Sequence, residues 1–352
     1  MREKFVQLVD KAATNHELTK DELVYVLQPE TDAEKNLLFK KADEVRKKYC
    51  GEGVHLRGIV EFSNICERNC LYCGLRKDNH KLNRYRIPDD EIFETAQKAA
   101  SLGYKTIVLQ SGEDSWYTTE RLCEIIRKIK KHLDVAVTLC IGERSYEEYK
   151  ELKNAGADRY LLKHETANQT LYKRLHPGMS FNERLKRLNW LKEIGFQVGS
   201  GNIIGLPYQT IEDLADDILL MKKINVDMAG IGPFIPHKAT PIGNFPAGTL
   251  DLTLRVVACA RLLMPDIHLP ATTAVGTIDP YGREKALKCG ANVVMPNITP
   301  QKYRKDYEIY PNKICIGEKP EHCRGCIQKR IESIGRFVAE GYGHRIRSSL
   351  QG

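Results

Sequence analysis

The sequence predicts an α/β protein whose body is a complete (β/α)8 barrel of the TIM type, with a helical cap before it and an extension after it. Three observations lead there. From about residue 55 to 296, short apolar runs alternate strictly with amphipathic ones. The apolar runs number eight, which is the count that closes a parallel barrel. No compositional break interrupts that stretch, and 352 residues, 42% of them apolar, suit one large barrel. The expected divisions are 1–54, a helical segment; 55–296, the barrel; and 297–352, an extension.

Residues 1–50 read as three helices. Phe5, Leu8, Val9 and Ala12 recur at helical spacing. Thr19 with Glu22 three residues on makes a capping-box pattern, and Thr31 starts a third segment carrying Leu37, Leu38, Ala42 and Val45. The expected strands are 57–63, 106–110, 134–140, 159–163, 196–204, 227–234, 269–273 and 291–295. Helices are expected at 89–102, 117–132, 145–155, 181–194, 210–224, 248–264 and 281–288. Gly103, Gly156 and Gly195 stand just past helix ends, where a left-handed residue closes the last turn. The tail abandons the alternation, with one helix expected at 323–339 and the last dozen residues frayed.

Lysine and arginine exceed the acids by 54 to 46, and the two signs interleave. No basic block forms a nucleic-acid stripe, so the surplus serves solubility and a cationic pocket. No stretch nears the roughly 20 apolar residues of a membrane span. The start of the chain lacks the apolar core of a secretory signal, so a reducing cytoplasm is expected. Of eleven cysteines, six fall in two tight triplets; an odd count with clustered spacing is metal-site arithmetic rather than a disulfide framework.

The first triplet is Cys66-x3-Cys70-x2-Cys73, on the loop leaving the first strand. Three thiolates on one short loop can each take a different iron of a 4Fe–4S cube, leaving the fourth iron open to chelate a small molecule. Tyr72 would lie against that molecule. A zinc knuckle or plain buried thiols are the alternatives, but zinc sites usually bring four protein ligands. The second triplet, Cys315-x7-Cys323-x2-Cys326, suits an accessory cluster, 2Fe–2S or 4Fe–4S, against a structural clip or inert thiols.

In such barrels chemistry gathers at the C-terminal ends of the strands. The second strand ends in Gln110, Gly112 and Glu113, where Gln110 or Glu113 can bind an ammonium group; an ordinary turn with a solvated acid is the alternative. Thr138 and Cys140 share one side of the third strand. Arg159, Leu161 and Lys163 share a face of the fourth, and two cations flanking an apolar residue suggest an anion site at the barrel mouth. Glu165 follows, where an acid can bridge ribose hydroxyls, and Arg184 comes within reach from the next helix. Rim ion pairs would explain each of these equally well. Several glycines in 199–205 suggest close approach of a ligand, and the strand end around Ile231 suits an adenine edge. Thr272 and Thr273 can bind a carboxylate or another anion, or merely pack the rim.

The Cys66, Cys70, Cys73 spacing resembles the signature of the radical S-adenosylmethionine (SAM) superfamily. The resemblance implies one-electron cleavage of SAM to methionine and a 5′-deoxyadenosyl radical. It also implies that Tyr72, Gln110, Glu113, Thr138, Lys163, Glu165, Arg184 and Ile231 contact SAM, with Arg184 on its carboxylate. The full set of blocks is similar to the FeFe-hydrogenase maturases of that superfamily: Glu61 to Asn64, Cys66 to Leu75 with Arg76 and Asn79, Thr106 to Glu113, Ala155 to Leu162, His164 to Asn168, Gly230 to His237, Pro270 to Ala274 and the second triplet. Lys163 departs from the arginine expected there. This resemblance implies an organometallic substrate, an iron–cysteine synthon, met by Arg159, Thr272, Thr273, Met295 and Tyr307. It further implies an electron donor such as ferredoxin or flavodoxin and other hydrogenase maturases as partners. Biotin-synthase-like or methylornithine-synthase-like chemistry is the rival enzyme reading, and a non-catalytic iron–sulphur scaffold the rival from another class.

Overall fold

The computed structural model describes residues 1–346. Three helices lead: α1 (Glu3–Asn15), α2 (Lys20–Val26) and α3 (Asp32–Cys50). The capping box at Thr19 forms, and the Thr31 side chain accepts from the Glu34 amide. These helices bury Phe5, Val9, Leu23, Leu38 and Ala42 against the flank of the following array.

The strands then come as β1 (Gly53–Leu56), β2 (Gly58–Ser63), β3 (Thr106–Ser111), β4 (Ala136–Cys140), β5 (Arg159–Leu161), β6 (Gln197–Ser200), β7 (Ile203–Ile204), β8 (Met228–Ala229), β9 (Gly232–Pro233), β10 (Pro270–Ala271), β11 (Val293–Val294) and β12 (Phe337–Val338). Between β2 and β6 lie α4 (Asp89–Ser101), α5 (Thr119–His132), α6 (Tyr146–Asn154), α7 (Gln169–Leu175) and α8 (Phe181–Glu193). Then follow α9 (Ile211–Ile224), α10 (Leu250–Leu263), α11 (Thr273–Ile278), α12 (Gly282–Leu287), α13 (Gln301–Arg304) and α14 (Pro320–Glu332).

One six-stranded parallel sheet runs β2-β3-β4-β5-β6-β8, and a second, parallel, runs β10-β11-β1-β12. Single parallel bridges, Met228 to His268 and Ile59 to Asn297, connect the two. The result is a TIM-barrel-like α/β fold with all these strands pointing one way. Helices α1 and α3 pack on α10, and α2 packs on α9.

Several expectations needed correction. The run at 196–204 breaks at Gly201, whose φ is 150° and whose missing Cβ leaves room for the Gly230 backbone. The run at 269–273 stops at Ala271, because Thr272 caps α11 by accepting from the Val275 amide. Helices α7, α11 and α13 are too short for their periodicity to be read. The tail helix is set by Pro320 at its first turn and ended by Gly335 at φ 77°, so it precedes 323–339 by several residues.

The frayed tail is a further correction. Residues 342–345 lie across the N-terminal ends of the strands. Thr106 donates to the Tyr342 carbonyl at 2.8 Å, and Arg345 reaches Asp266 at 2.7 Å. The rest of that predicted fray, 347–352, lies outside the described residues.

Candidate functional site

The loop after β2 carries Cys66, Cys70 and Cys73, and its neighbours fix its path. The Gly112 amide donates to Ser63 O at 3.1 Å, and the Glu67 amide to Glu113 O at 2.9 Å. The Glu113 amide points at Cys66 Sγ, 3.4 Å away. Gly112 must be glycine for this closeness: a Cβ there would lie 2.7 Å from Cys66 Cβ and overlap the Ile65 carbonyl oxygen. From other sides, the Leu71 amide donates to Leu175 O of α7 and the Gly74 amide to Ile309 O, both at 2.9 Å. Asn64 holds the loop base, donating to Asn83 O and Asp306 O at 2.7 and 2.6 Å while accepting from the Tyr85 amide at 2.8 Å.

All three thiols line one cavity of about 390 Å³. Burial, reinforced by the neighbouring cysteines, pushes Cys70 up to about 12 and Cys73 higher still, and burial raises Cys66 as well. Thiols kept neutral because their thiolates would be buried and repel one another are what a cationic iron core would deprotonate and satisfy. Among the described residues no three His, Cys, Asp or Glu side chains converge on a single ion. Zinc sites usually bring four protein ligands, whereas a cubane takes three thiolates on separate irons, so three cysteines lining one cavity suit the cubane.

Of the other predicted residues, Tyr72, Gln110, Glu113, Lys163, Glu165, Arg184, Thr272, Thr273, Met295 and Tyr307 all line the same cavity. The cations there are paired. Arg68 bonds Glu113 at 2.6 Å, Lys163 meets Glu165 at 2.8 Å, and Arg184 bonds Glu143 at 2.7 Å while donating to the Lys163 carbonyl. Glu165 sits at φ 65°, a strained conformation that concentrates at ligand sites. Tyr72 Oη lies 2.9 Å from His176 Nε2, and His176 Nδ1 lies 2.9 Å from Tyr172 O. Burial lowers His176 to about 4, so the ring is neutral at pH 7. Its Nδ1–H donates to the carbonyl, and Nε2 accepts from Tyr72.

Three predicted residues are not brought to the cavity. Arg159 opens β5, whereas Lys163 lies past the strand's end, four residues of rise further on, about 13 Å at the usual rise per residue. It sits among the N-terminal strand ends instead, donating to Tyr342 O at 2.6 Å and Thr106 Oγ1 at 3.2 Å, beside His344 Nδ1 at 2.9 Å. Thr138 faces that same guanidinium at 3.5 Å. Ile231 turns its side chain into the core, and only its neighbours Gly230 and Gly232 line the cavity.

Sequence reasoning missed Arg68, Glu143, His176 and the pair Glu61–Lys313. Glu143 had a legible signal: Gly142-Glu143 past β4 repeats Gly112-Glu113 past β3. Lys313 had none, because it arrives from the tail.

The second triplet is partly assembled. Cys323 is buried on α14, and Cys326 lies exposed three residues on. A hydrogen bond from Cys323, with Arg283 4.0 Å away, brings Cys315 down to about 6, while Cys323 is pushed up.

Comparison with known proteins agrees with this geometry. The radical SAM superfamily profile matches residues 60–221. The chain is 54% identical over 310 residues to the [FeFe] hydrogenase maturase subunit HydE of Thermotoga maritima, covering 88% of this chain and 89% of that one. It is 30% identical over 328 residues to a 3-methylornithine synthase of Methanosarcina acetivorans, covering 93% and 92%. A crystal structure of methylornithine synthase superposes with a TM-score of 0.84 at 26% identity over 95% of this chain and 97% of that one.

The three-thiol loop at the strand ends thus belongs to a radical SAM enzyme, a class that implies a 4Fe–4S cluster and SAM. Within that superfamily the chain belongs to the HydE family of FeFe-hydrogenase maturases.

Proposed function

We propose that this enzyme cleaves SAM reductively and turns the 5′-deoxyadenosyl radical on the sulphur of an iron–cysteine synthon carrying carbon monoxide and cyanide, on the route to the di-iron subcluster of FeFe-hydrogenase. The observation that carries this reading is the single cavity that joins the three thiols to the charged rim and to the Thr272–Tyr307 wall. Cys66, Cys70 and Cys73 would hold the 4Fe–4S cluster, which supplies one electron to SAM when bound. Arg184, oriented by Glu143, offers a fork suited to the SAM carboxylate. Glu113 and Gln110 offer acceptors for its ammonium, and Glu165 for the ribose. Tyr72, fixed by His176, walls the cofactor side.

The six strands of the larger sheet close with β10 and β11 into one eight-stranded barrel, whose dry walls keep a reactive radical from side reactions. The division at 1–54, 55–296 and 297–352 describes the chain as cap, barrel and extension. Cys315, Cys323 and Cys326 hold an accessory cluster, 2Fe–2S or 4Fe–4S. Ferredoxin or flavodoxin supplies the electron in the cytoplasm, and other hydrogenase maturases supply the synthon and take the product.

Two measurements test the reading. Anaerobic reduction with SAM must yield deoxyadenosine; its absence would favour a scaffold. Deleting the gene must abolish hydrogenase maturation while biotin synthesis survives. The reverse pattern would point to biotin-synthase-like chemistry.

A further inference from the structure

The cavity wall built by β2, the start of α11, the residue after β11 and the segment after α13 is mostly apolar or neutral: Ile59, Ala274, Met295, Ile309 and the two tyrosines, Tyr307 and Tyr310. One ion pair breaks it. Lys313 contacts the Glu61 carboxylate, and Asn297 donates to the other Glu61 oxygen at 2.8 Å. Lys313, Glu61 and Asn297 are exposed by only 9%, 3% and 7%, yet Lys313 and Glu61 both line the cavity. A buried pair of this kind is poor value for stability, since two desolvated charges roughly cancel their own attraction.

The hydrogen bonds of the ammonium show what it has to spare. Of its three N–H groups, one serves Glu61 and a second lies 3.5 Å from Tyr307 O, which is long. No third acceptor exists for it among the described residues. Its charge also lies 5.0 Å from the Tyr307 ring centroid, which steers it along the cavity wall. The other lining cations, Arg68, Lys163 and Arg184, stand with their carboxylates on the cofactor side. Lys313 is therefore the one cationic donor that the described residues of the far wall present.

We propose that Lys313, held by Glu61 and Asn297, is a substrate-positioning residue that donates a hydrogen bond to the nitrogen of a metal-bound cyanide. This rests on the iron–cysteine reading above. The charge balance selects cyanide over a carboxylate. The pair is neutral overall, and Glu61 beside the ammonium would repel a second carboxylate, whereas a metal-bound cyanide nitrogen needs a single donor. The two threonines Thr272 and Thr273, which carry no acid of their own, are better placed to receive a carboxylate.

The test uses full-length, cluster-loaded protein and the synthetic iron–cysteine carbonyl–cyanide complex, observed by infrared spectroscopy under anaerobic conditions. In Lys313→Met the cyanide stretch of the bound complex should move towards its value for the non-hydrogen-bonded complex, with the carbonyl stretches shifting much less. Lys313→Arg should restore most of the shift. The KM for the complex should rise about tenfold in Lys313→Met, the equivalent of about 1.4 kcal/mol. Because Lys313→Met strands the Glu61 carboxylate, the double variant Glu61→Gln/Lys313→Met, which leaves no buried charge, provides the same reading in a fold without that penalty. Identical cyanide stretches in wild type and the double variant would overturn the assignment while leaving the substrate intact. If the wild type fails to bind the complex at all, the substrate reading itself is wrong and the role of Lys313 falls with it.

Discussion

Gly112→Ala probes how the cluster loop is seated. The added methyl would overlap the Ile65 carbonyl oxygen and press on Cys66 Cβ at 2.7 Å. Neither is the far end of a flexible side chain, so the loop itself must move. Overpacking of this kind costs about 1–3 kcal/mol. The displacement also strains the Glu113 amide contact to Cys66 Sγ at 3.4 Å and the Gly112 amide bond to Ser63 O, with about 1 kcal/mol at stake. The sum, about 2–4 kcal/mol, corresponds to roughly a 30- to 700-fold loss of the seated loop relative to displaced forms.

Anaerobic reconstitution followed by iron analysis and deoxyadenosine yield measures the effect. The variant should bind iron more weakly and release it faster, and deoxyadenosine formation should fall by at least tenfold. Gly103→Ala is the control. Its φ of 84° penalises a side chain, but nothing lies within 4 Å of the new methyl, so it should lose stability without losing iron. Full iron content and unchanged deoxyadenosine yield in Gly112→Ala would refute the argument that this contact seats the loop.

Glu143→Gln removes the carboxylate opposite Arg184 at 2.7 Å and near Arg68 and Arg187 at 3.7 and 3.9 Å. Breaking a buried pair from one side costs about 3–5 kcal/mol, so thermal unfolding should shift down clearly and SAM should bind more weakly by calorimetry. Burial, with help from Arg57 and Arg159, lowers His55 to about 4 from its ordinary 6.5. The unfolded chain therefore binds the extra proton between those values. Stability is full above pH 6.5 and falls as pH drops towards 4, by about 2 kcal/mol at pH 5 from this residue. Urea unfolding at pH 7 and pH 5 should show that loss in wild type and less of it in His55→Leu. Truncation after residue 341 strips the acceptors of Arg57, Arg159 and Thr106 at Gly343 O and Tyr342 O. At about 1–3 kcal/mol per buried donor left unpaired, the urea midpoint should fall sharply although no cavity residue is touched.

The sequence was most informative where local chemistry and position coincide. The cysteine spacing, Gly112 beside Glu113, and the caps at Thr19 and Thr31 are local events, and they appear where the pattern puts them. Periodicity also expected Arg159 and Lys163 on one face, but β5 ends at Leu161, before Lys163. It carried no information about height along the strand axis, and height decides whether a guanidinium meets the cavity or the opposite end. The same blindness hid the tail. Its residues 342–345 read as polar and frayed, yet Arg345 finds Asp266 and Asp227 and closes the N-terminal end. Contacts between the end of the chain and residues 79 to 236 positions earlier leave no periodic trace.

That axial ordering has a chemical consequence. From the junction of β1 and β2 the alternate residues run Arg57, Ile59, Glu61, and from β5 onward they run Arg159, Leu161, Lys163. Ile59 and Leu161 line the cavity, each two residues after a buried arginine and two before an ion-paired residue. An apolar level therefore separates two charged ones. The lower cations bond backbone carbonyls and hydroxyls of the tail and the strands rather than reaching upwards, so they do not compete with Arg184 for a carboxylate. The upper cations each hold an acid in place beforehand, which lets SAM and substrate meet oriented groups instead of reorganising them. Exchanging Leu161 for a lysine should break that separation. The new ammonium would lie two residues of rise, about 7 Å, from both Arg159 below and Lys163 above, so SAM affinity should drop together with stability. A variant that loses stability alone would show the two levels to be independent.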